Sequence, residues 1–337
     1  MEAYLYEPLD NGKVKCNLCA HRCVIKQGRR GLCNVRENQT GVLKTLVYGR
    51  VIASHIDPIE KKPLFHFLPG SRSYSIATVG CNLRCRFCQN ADIAQLPTER
   101  PGVILGDHCA PKEIVDTAES GGCQSISYTY TEPTVFFEFA HDTAKIAHAR
   151  GIRNVFVTNG YMTAEALNMI QPYLDGANVD LKAFTQSYYK DLCGAKLKPV
   201  KETLKLMVSM GIFVEVTTLI IPGLNDDRHE LESLAQFIKD DLGPATPWHI
   251  SRFHPTYKLT DRSSTPVKTL EMARDIGLKT GLKYVYTGNV PGEAGENTFC
   301  CNCGQIVIER WGFQVRKLLM ENGRCTHCET EIDGVWR

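Results

Sequence analysis

The sequence predicts an α/β protein: a partial (β/α)6 barrel with a cysteine-rich module at its N-terminal end and a zinc-ribbon-like module at its C-terminal end. Two observations carry this. Residues 74 to 287 alternate short β-branched runs with amphipathic helical stretches, the pattern of parallel βα units. Outside that stretch, cysteines gather in tight groups near both ends of the chain. The expected organisation is a basic four-cysteine module over 1–50, a lead-in segment over 51–73, the barrel over 74–290 and a ribbon over 291–337.

Taken in order, strands are expected at 74–79, 125–130, 154–158, 177–181, 214–221 and 249–253, with a seventh candidate at 284–287. Helices fit at 111–120, 134–150, 163–171, 185–192, 201–210, 228–240 and 266–281. In the last of these, Val267, Leu270, Ala273, Ile276 and Leu278 recur near helical spacing. Pro133, Pro222, Pro255 and Gly160 punctuate the strand ends.

The chain has 337 residues, of which 43% are hydrophobic and 23% charged, with a formal net charge of +2. That balance excludes a disordered chain and one that holds nucleic acid by charge along its whole length. The start lacks the charged-then-apolar layout of a signal peptide, and no apolar run approaches the ~20 residues of a membrane span. A cytoplasmic protein with no membrane partner is expected, and reduced thiols there suit metal ligation rather than disulfides.

Twelve of the 15 cysteines form three groups. Cys300, Cys303, Cys325 and Cys328 make two CxxC knuckles, each offering two thiolates to a tetrahedral zinc ion, with Cys301 as a spare. The strand-like run Ile306 to Trp311 would build the ribbon hairpin. Cys16, Cys19, Cys23 and Cys33 suit either zinc or a four-iron cluster. Around them, residues 11 to 50 carry nine lysines and arginines against the single acid Glu37. That excess reads as a landing surface for nucleic acid or an acidic redox partner, or as compensation for thiolate charge. The trio Cys81, Cys85 and Cys88 has no nearby fourth cysteine. A cluster held by three thiolates keeps one iron open to a ligand; the alternative is zinc with a distant fourth ligand. Cys109, Cys123 and Cys193 read as small core residues.

In parallel barrels the chemistry collects at the C-terminal ends of the strands. The candidates fall there: Cys81 after the first strand, Glu132 after the second, Thr158 and Asn159 at the third, Asp180 and Lys182 at the fourth, the run Pro222 to Asp226 after the fifth and His254 after the sixth. Singly, Asn159 before a glycine suits a turn and Glu132 before a proline suits a helix start.

The run VGCNLRCRFCQN (79–90) resembles the CxxxCxxC loop of the radical S-adenosylmethionine (SAM) superfamily, and the chain is similar to the activating enzymes of pyruvate formate-lyase. Within these it most resembles the AmmeMemoRadiSam system radical SAM enzymes, through DPIEKKPLFHFLPG (57–70), YTYTEPT (128–134) and CNLCAHRC with a later GLC (16–33). The resemblance implies that Cys81, Cys85 and Cys88 ligate a [4Fe-4S] cluster whose fourth iron chelates SAM. It further implies that Glu132, Thr158, Asn159, Asp180, Lys182 and His254 border SAM. Val157 and Thr217 depart from the formate-lyase activators, which carry Asp and Arg at those positions. The expected activity is reductive cleavage of SAM to a 5′-deoxyadenosyl radical that takes hydrogen from a small-molecule or nucleoside-like substrate, with a flavodoxin or ferredoxin as reductant. The alternatives are an activase that installs a glycyl radical on a partner protein, and a metal-bearing scaffold without activity. Substrate-facing candidates are His55, His66, Tyr130, Tyr161, His249 and Asn289.

Overall fold

The computed structural model describes residues 1–290, 292 and 294–337; Pro291, the expected first residue of the ribbon, and Glu293 lie outside the described residues. The central sheet has eight strands: β1 (Ala53–Pro58), β2 (Arg72–Ala77), β3 (Ser125–Tyr128), β4 (Arg153–Thr158), β5 (Gly176–Asp180), β6 (Phe213–Ile220), β7 (Trp248–Arg252) and β8 (Val285–Gly288). They lie side by side in chain order from β1 at one edge to β8 at the other. Strands β2 to β8 run parallel, and β1 pairs antiparallel with β2. The six expected strands and the seventh candidate all form. Strand β1, inside the expected lead-in segment, adds an eighth that the sequence pattern hid.

Helices α1 (Pro111–Ser120), α2 (Phe137–Ala149), α3 (Ala164–Ile170), α4 (Leu197–Ser209), α5 (Arg228–Phe237) and α6 (Val267–Thr280) connect the parallel strands. Local chemistry fixes their starts. Thr163 Oγ1 accepts from Ala166 N at 3.2 Å to cap α3, and Asp227 Oδ1 accepts from His229 N and Glu230 N to cap α5. The expected helix over 185–192 is interrupted: a turn at Gln186–Tyr188 widens over Tyr189–Cys193 and stops at Gly194, whose φ of 67° a side chain would resist. Among the described residues no helix is long and apolar enough to cross a membrane.

The N-terminal module pairs three short antiparallel strands, Tyr6–Pro8, Val14–Cys16 and Val24–Ile25, beside a hairpin of Arg36–Gln39 and Val42–Thr45. It docks on the loop after β4, where Ala20 N donates to the Tyr161 carbonyl and Thr163 N to that of Leu18. A buried ion pair, Arg36 Nη2 to Glu138 Oε2 at 2.5 Å, ties it to α2. Five of its nine basic side chains meet carboxylates of the chain itself: Lys15 with Glu7, Arg22 with Glu165, Arg30 with Glu37, Arg36 with Glu138 and Lys44 with Glu2. Glu37 is already counted against the excess of eight, so the other four pairs compensate half of it internally, which weakens the case for a nucleic-acid surface.

Residues 59–70 run into the barrel rather than over it. Ile59, Glu60, Lys62, Leu64, Phe65, His66 and Phe67 are all buried. Glu215 on β6 anchors the segment by accepting from Phe65 N at 3.0 Å and His66 N at 2.8 Å, while His249 Nε2 lies 2.6 Å from the same carboxylate. The C-terminal ribbon, with strands Thr298–Phe299, Ile306–Trp311 and Gln314–Leu318, closes over this segment. Arg310 Nη2 donates to the Phe65 carbonyl and Nη1 to Thr298 Oγ1, both at 2.7 Å, and its Nε stands 3.8 Å from the Glu60 carboxylate. The hydrogen-bond chain continues through Tyr286 to His66 Nε2, and His66 Nδ1 donates to the Asp333 carbonyl at 2.6 Å.

His66 is thus held neutral, its pKa lowered from 6.5 to about 4, chiefly by burial. Between those values the unfolded chain binds more protons than the folded one, so stability is lost as pH falls through that window. Chemical denaturation should show unfolding free energy dropping by up to about 1.4 kcal/mol per pH unit between pH 6.5 and 4. The slope should flatten in His66→Gln.

Candidate active site

The loop after β2 delivers three thiols by a constrained path. Gly80 sits at φ 104°, and a Cβ there would come within 2.7 Å of Val35 in the N-terminal module, so only glycine lets the chain pass. Leu83 N donates to Cys81 Sγ at 3.4 Å, and Arg84 N and Arg86 N donate to the carbonyls of Cys193 and Leu192. Asn90 Nδ2 donates to the Tyr130 carbonyl at 2.7 Å, tying the end of the loop to the end of β3. Burial pushes the Cys81 thiol well above its ordinary pKa and that of Cys88 up to about 11, so both need a cation to ionise.

Cys81, Cys85 and Cys88 open into one cavity of about 540 Å³, within the range of small-molecule sites. Each parallel strand contributes to its wall: Thr129 to Glu132 after β3, Val157 to Asn159 at β4, Asp180 and Lys182 at β5, Thr217 and Leu219 on β6, Ser251 on β7 and Asn289 after β8. Lys62 and Phe313 reach it from the inserted segment and the ribbon.

Glu132 is the knot of this wall. Its Oε1 accepts from Thr134 N, Thr134 Oγ1 and Thr158 Oγ1, and its Oε2 from Asn159 N at 2.8 Å. Burial raises its pKa, while these four donors oppose the rise. Asn159 passes the constraint on, its Nδ2 donating to Asn82 Oδ1 at 2.7 Å and reaching Cys81 Sγ at 3.7 Å. Gly160 follows at φ 68°, where a Cβ would meet Val179 at 2.8 Å. Lys182 Nζ pairs with Asp180 at 2.7 Å; burial would lower its pKa, but Asp180 and the nearby thiols of Cys85 and Cys193 outweigh that and raise it. Tyr130 holds a φ of 62°, with its hydroxyl on Asp57 and Lys62 4.5 Å above its ring. A side chain in that region costs about 1–3 kcal/mol, which these contacts offset.

Five of the six residues expected around the cofactor, Glu132, Thr158, Asn159, Asp180 and Lys182, line the cavity. His254 does not. It lies beyond the end of β7 at Arg252 and is exposed, with Nδ1 3.0 Å from Ser264 Oγ. The run Pro222 to Asp226 is likewise outside the lining, because Asn225 closes a turn by accepting from Ile221 N and donating to the carbonyls of Lys182 and Leu219. Tyr130 and Asn289 face the cavity, whereas His66 and His249 belong to the buried network beneath it and Tyr161 packs against His21. A fourth cysteine does stand near the trio: Cys193 is buried, its carbonyl accepts from Arg84 N at 2.9 Å, and its nearby thiol lowers the Cys85 pKa. It lies outside the cavity lining, and nothing in its sequence spacing links it to Cys85.

The model of the radical SAM superfamily matches residues 75–238, the stretch that carries the trio and the ends of β2 to β6. The chain belongs to the radical SAM superfamily. It is 50% identical over 334 residues to an uncharacterized protein, MJ0808, of Methanocaldococcus jannaschii, with 98% of each chain covered. It is 25% identical to a GTP 3′,8-cyclase of Alkaliphilus oremlandii over 75% of this chain and 80% of that one. A pyruvate formate-lyase-activating enzyme of Clostridium pasteurianum is 26% identical over 51% of this chain and 71% of its own. The fold matches a radical SAM methyltransferase from Sphaerobacter thermophilus, with a TM-score of 0.51 and 17% identity over 68% of this chain and 71% of that one. It also matches SuiB of Streptococcus suis bound to S-adenosylmethionine, with a TM-score of 0.52 and 14% identity over 68% and 53%. Membership of the radical SAM superfamily implies a [4Fe-4S] cluster and SAM. The trio fits that cluster: three thiols open to one cavity and, among the described residues, are not gathered within the 4.8 Å that a single ion would demand.

The ribbon of this radical SAM protein is different. Cys300, Cys303, Cys325 and Cys328 all lie within 4.8 Å of one another and could hold a metal ion, with Cys301 outside the group. The chain should therefore purify with metal at the ribbon. Cys325→Ser should lower total metal by about one ion per chain in elemental analysis.

Proposed function

We propose that this protein binds SAM in the cavity at the C-terminal ends of β2 to β8 and cleaves it reductively to abstract hydrogen from a small-molecule or nucleoside-like substrate. The observation that carries this is the convergence of a three-thiol loop and polar side chains from separate strands on one cavity of about 540 Å³. When bound, a [4Fe-4S] cluster at Cys81, Cys85 and Cys88 supplies one electron, received from a flavodoxin or ferredoxin, that splits SAM into methionine and a 5′-deoxyadenosyl radical. The residues of the chain bind, orient and enclose. Glu132 Oε2, with one donor on it and room for another, accepts from the amino group of SAM. Asp180, Lys182, Thr158 and Asn159 border the cofactor, and Leu83, Phe87, Val157, Leu219 and Phe313 keep water from the reacting centre.

The ribbon holds zinc in this reading, supported by sulfur separations of 3.6 Å (Cys300 to Cys328) and 3.7 Å (Cys303 to Cys325). Four sulfurs about 2.3 Å from one ion stand about 3.8 Å apart. The rival reading, activation of a glycyl radical partner, draws on relatives named as activating enzymes of benzylsuccinate synthase and pyruvate formate-lyase, which match about half of this chain. Phe313 of the ribbon adds to the cavity wall, which supports a small substrate.

Anaerobically reconstituted and reduced protein should convert SAM to 5′-deoxyadenosine, and SAM should shift its electron paramagnetic resonance spectrum. Cys85→Ala should abolish both while leaving the ribbon metal in place. Absence of both in fully loaded wild-type protein overturns the proposal, and a glycyl signal on a partner protein would establish the rival. Glu132→Gln should raise the SAM concentration for half-maximal cleavage roughly ten- to hundredfold, the loss of one charge-assisted hydrogen bond.

A further inference from the structure

We propose that Cys16, Cys19, Cys23 and Cys33 hold a second [4Fe-4S] cluster, with a cysteine on every iron, rather than a single zinc ion. The chain contains its own standard for the distinction. A tetrahedral ion draws four thiolates to about 3.8 Å from one another, the separation seen in the ribbon. In a four-iron cluster each sulfur sits on a different iron, so the thiols surround a larger core. The N-terminal thiols follow the second pattern. All four line one small cavity of about 20 Å³, yet among the described residues no three of them lie within 4.8 Å of one another. The same holds for Cys81, Cys85 and Cys88.

The backbone holds the four cysteines in this wider arrangement. Cys16 lies on a strand and its N donates to the Cys23 carbonyl at 2.9 Å, Arg22 N donates to that of Cys19, and the Cys33 carbonyl packs 3.6 Å from the position of a Cβ on Gly80.

A second observation comes from the polar groups in the cavity wall. Arg36 is 2% exposed, and its Nε and Nη1 have no hydrogen-bond partner; Asn82, 4% exposed, has an unpartnered Nδ2. Such buried donors each cost about 1–3 kcal/mol unless an acceptor faces them. The thiolates and sulfides of a cluster with a charge of about −2 are acceptors of the right sign. With four cysteine ligands no iron is left open, so this site takes no substrate. It also backs directly on the catalytic loop: His21 Nε2 lies 2.8 Å from the Asn82 carbonyl, and Asn82 adjoins Cys81.

The inference is independent of SAM chemistry, and its test is made where that chemistry is absent. Full-length Cys81→Ala/Cys85→Ala/Cys88→Ala protein, purified anaerobically, should retain about four irons and four sulfides per chain and show a reduced-cluster paramagnetic signal that SAM does not alter. Zinc in place of that iron, or no metal beyond the ribbon ion, overturns the proposal. In otherwise wild-type protein, Cys16→Ala/Cys19→Ala should lower iron from about eight to about four per chain and remove only the SAM-insensitive signal. If that variant fails to fold, the triple variant still decides.

Discussion

A curved parallel sheet that does not close on itself leaves two free edges and an open side to its interior, and in this chain β1 and β8 are those edges. An interior with an open side would flood, and water would dissolve the electrostatics of any site built at the strand ends. Residues 59–70 and the ribbon answer that constraint together. The segment brings apolar Phe65 and Phe67 against the inner face of the barrel, and the ribbon locks it through Arg310 and the backbone pairing of residues 66 and 68 with Val335. Glu215, His66, His249, Glu60 and Arg310 are polar groups in a place where apolar ones would pack as well. Their value is geometric, because each accepts or donates at a fixed angle and so sets one position of the segment.

Above that floor, side-chain hydrogen bonds cross-link the rim. Glu132 binds the end of β3 to the end of β4, Asn159 binds β4 to the three-cysteine loop, and Asn225 binds the turn after β6 back to β5. Chemistry by a reactive radical depends on where groups stand more than on their acidity, and a wall cross-braced by side-chain hydrogen bonds keeps them there. The carbonyls of Cys193 and Leu192, accepting from Arg84 N and Arg86 N, extend the bracing to the trio's own loop.

The sequence was legible wherever one physical pattern acts alone. Runs such as Ser125 to Tyr128 and Val214 to Ile220 read as strands because parallel strands are buried on both faces. The trio and the two CxxC knuckles read as metal ligands because local spacing decides which thiols can meet. Legibility failed where burial depends on a distant partner. Asp57, Glu60, Lys62 and His66 look like surface residues until their acceptors and donors are known, which is why 51–73 read as a lead-in rather than as a strand and an inserted segment. Arg36 counted toward a basic surface, but its partner Glu138 is 102 residues away. His254 lies past the end of β7 in an exposed loop, where Ser264 and not the cavity meets its ring, and a motif position does not reveal where a loop turns.

The hydrogen bond between His66 Nδ1 and the Asp333 carbonyl spans 267 residues of chain, and the ribbon that supplies Asp333 follows the barrel in translation. Contacts of such sequence separation form late, after the loop entropy between them has been overcome. Until the ribbon docks, the interior side of the barrel lacks its cover. The C-terminal ribbon acts in that sense as a fastener, and a chain that stops short of it would carry buried charges with no partners on an exposed sheet interior, a state that chaperones and proteases recognise.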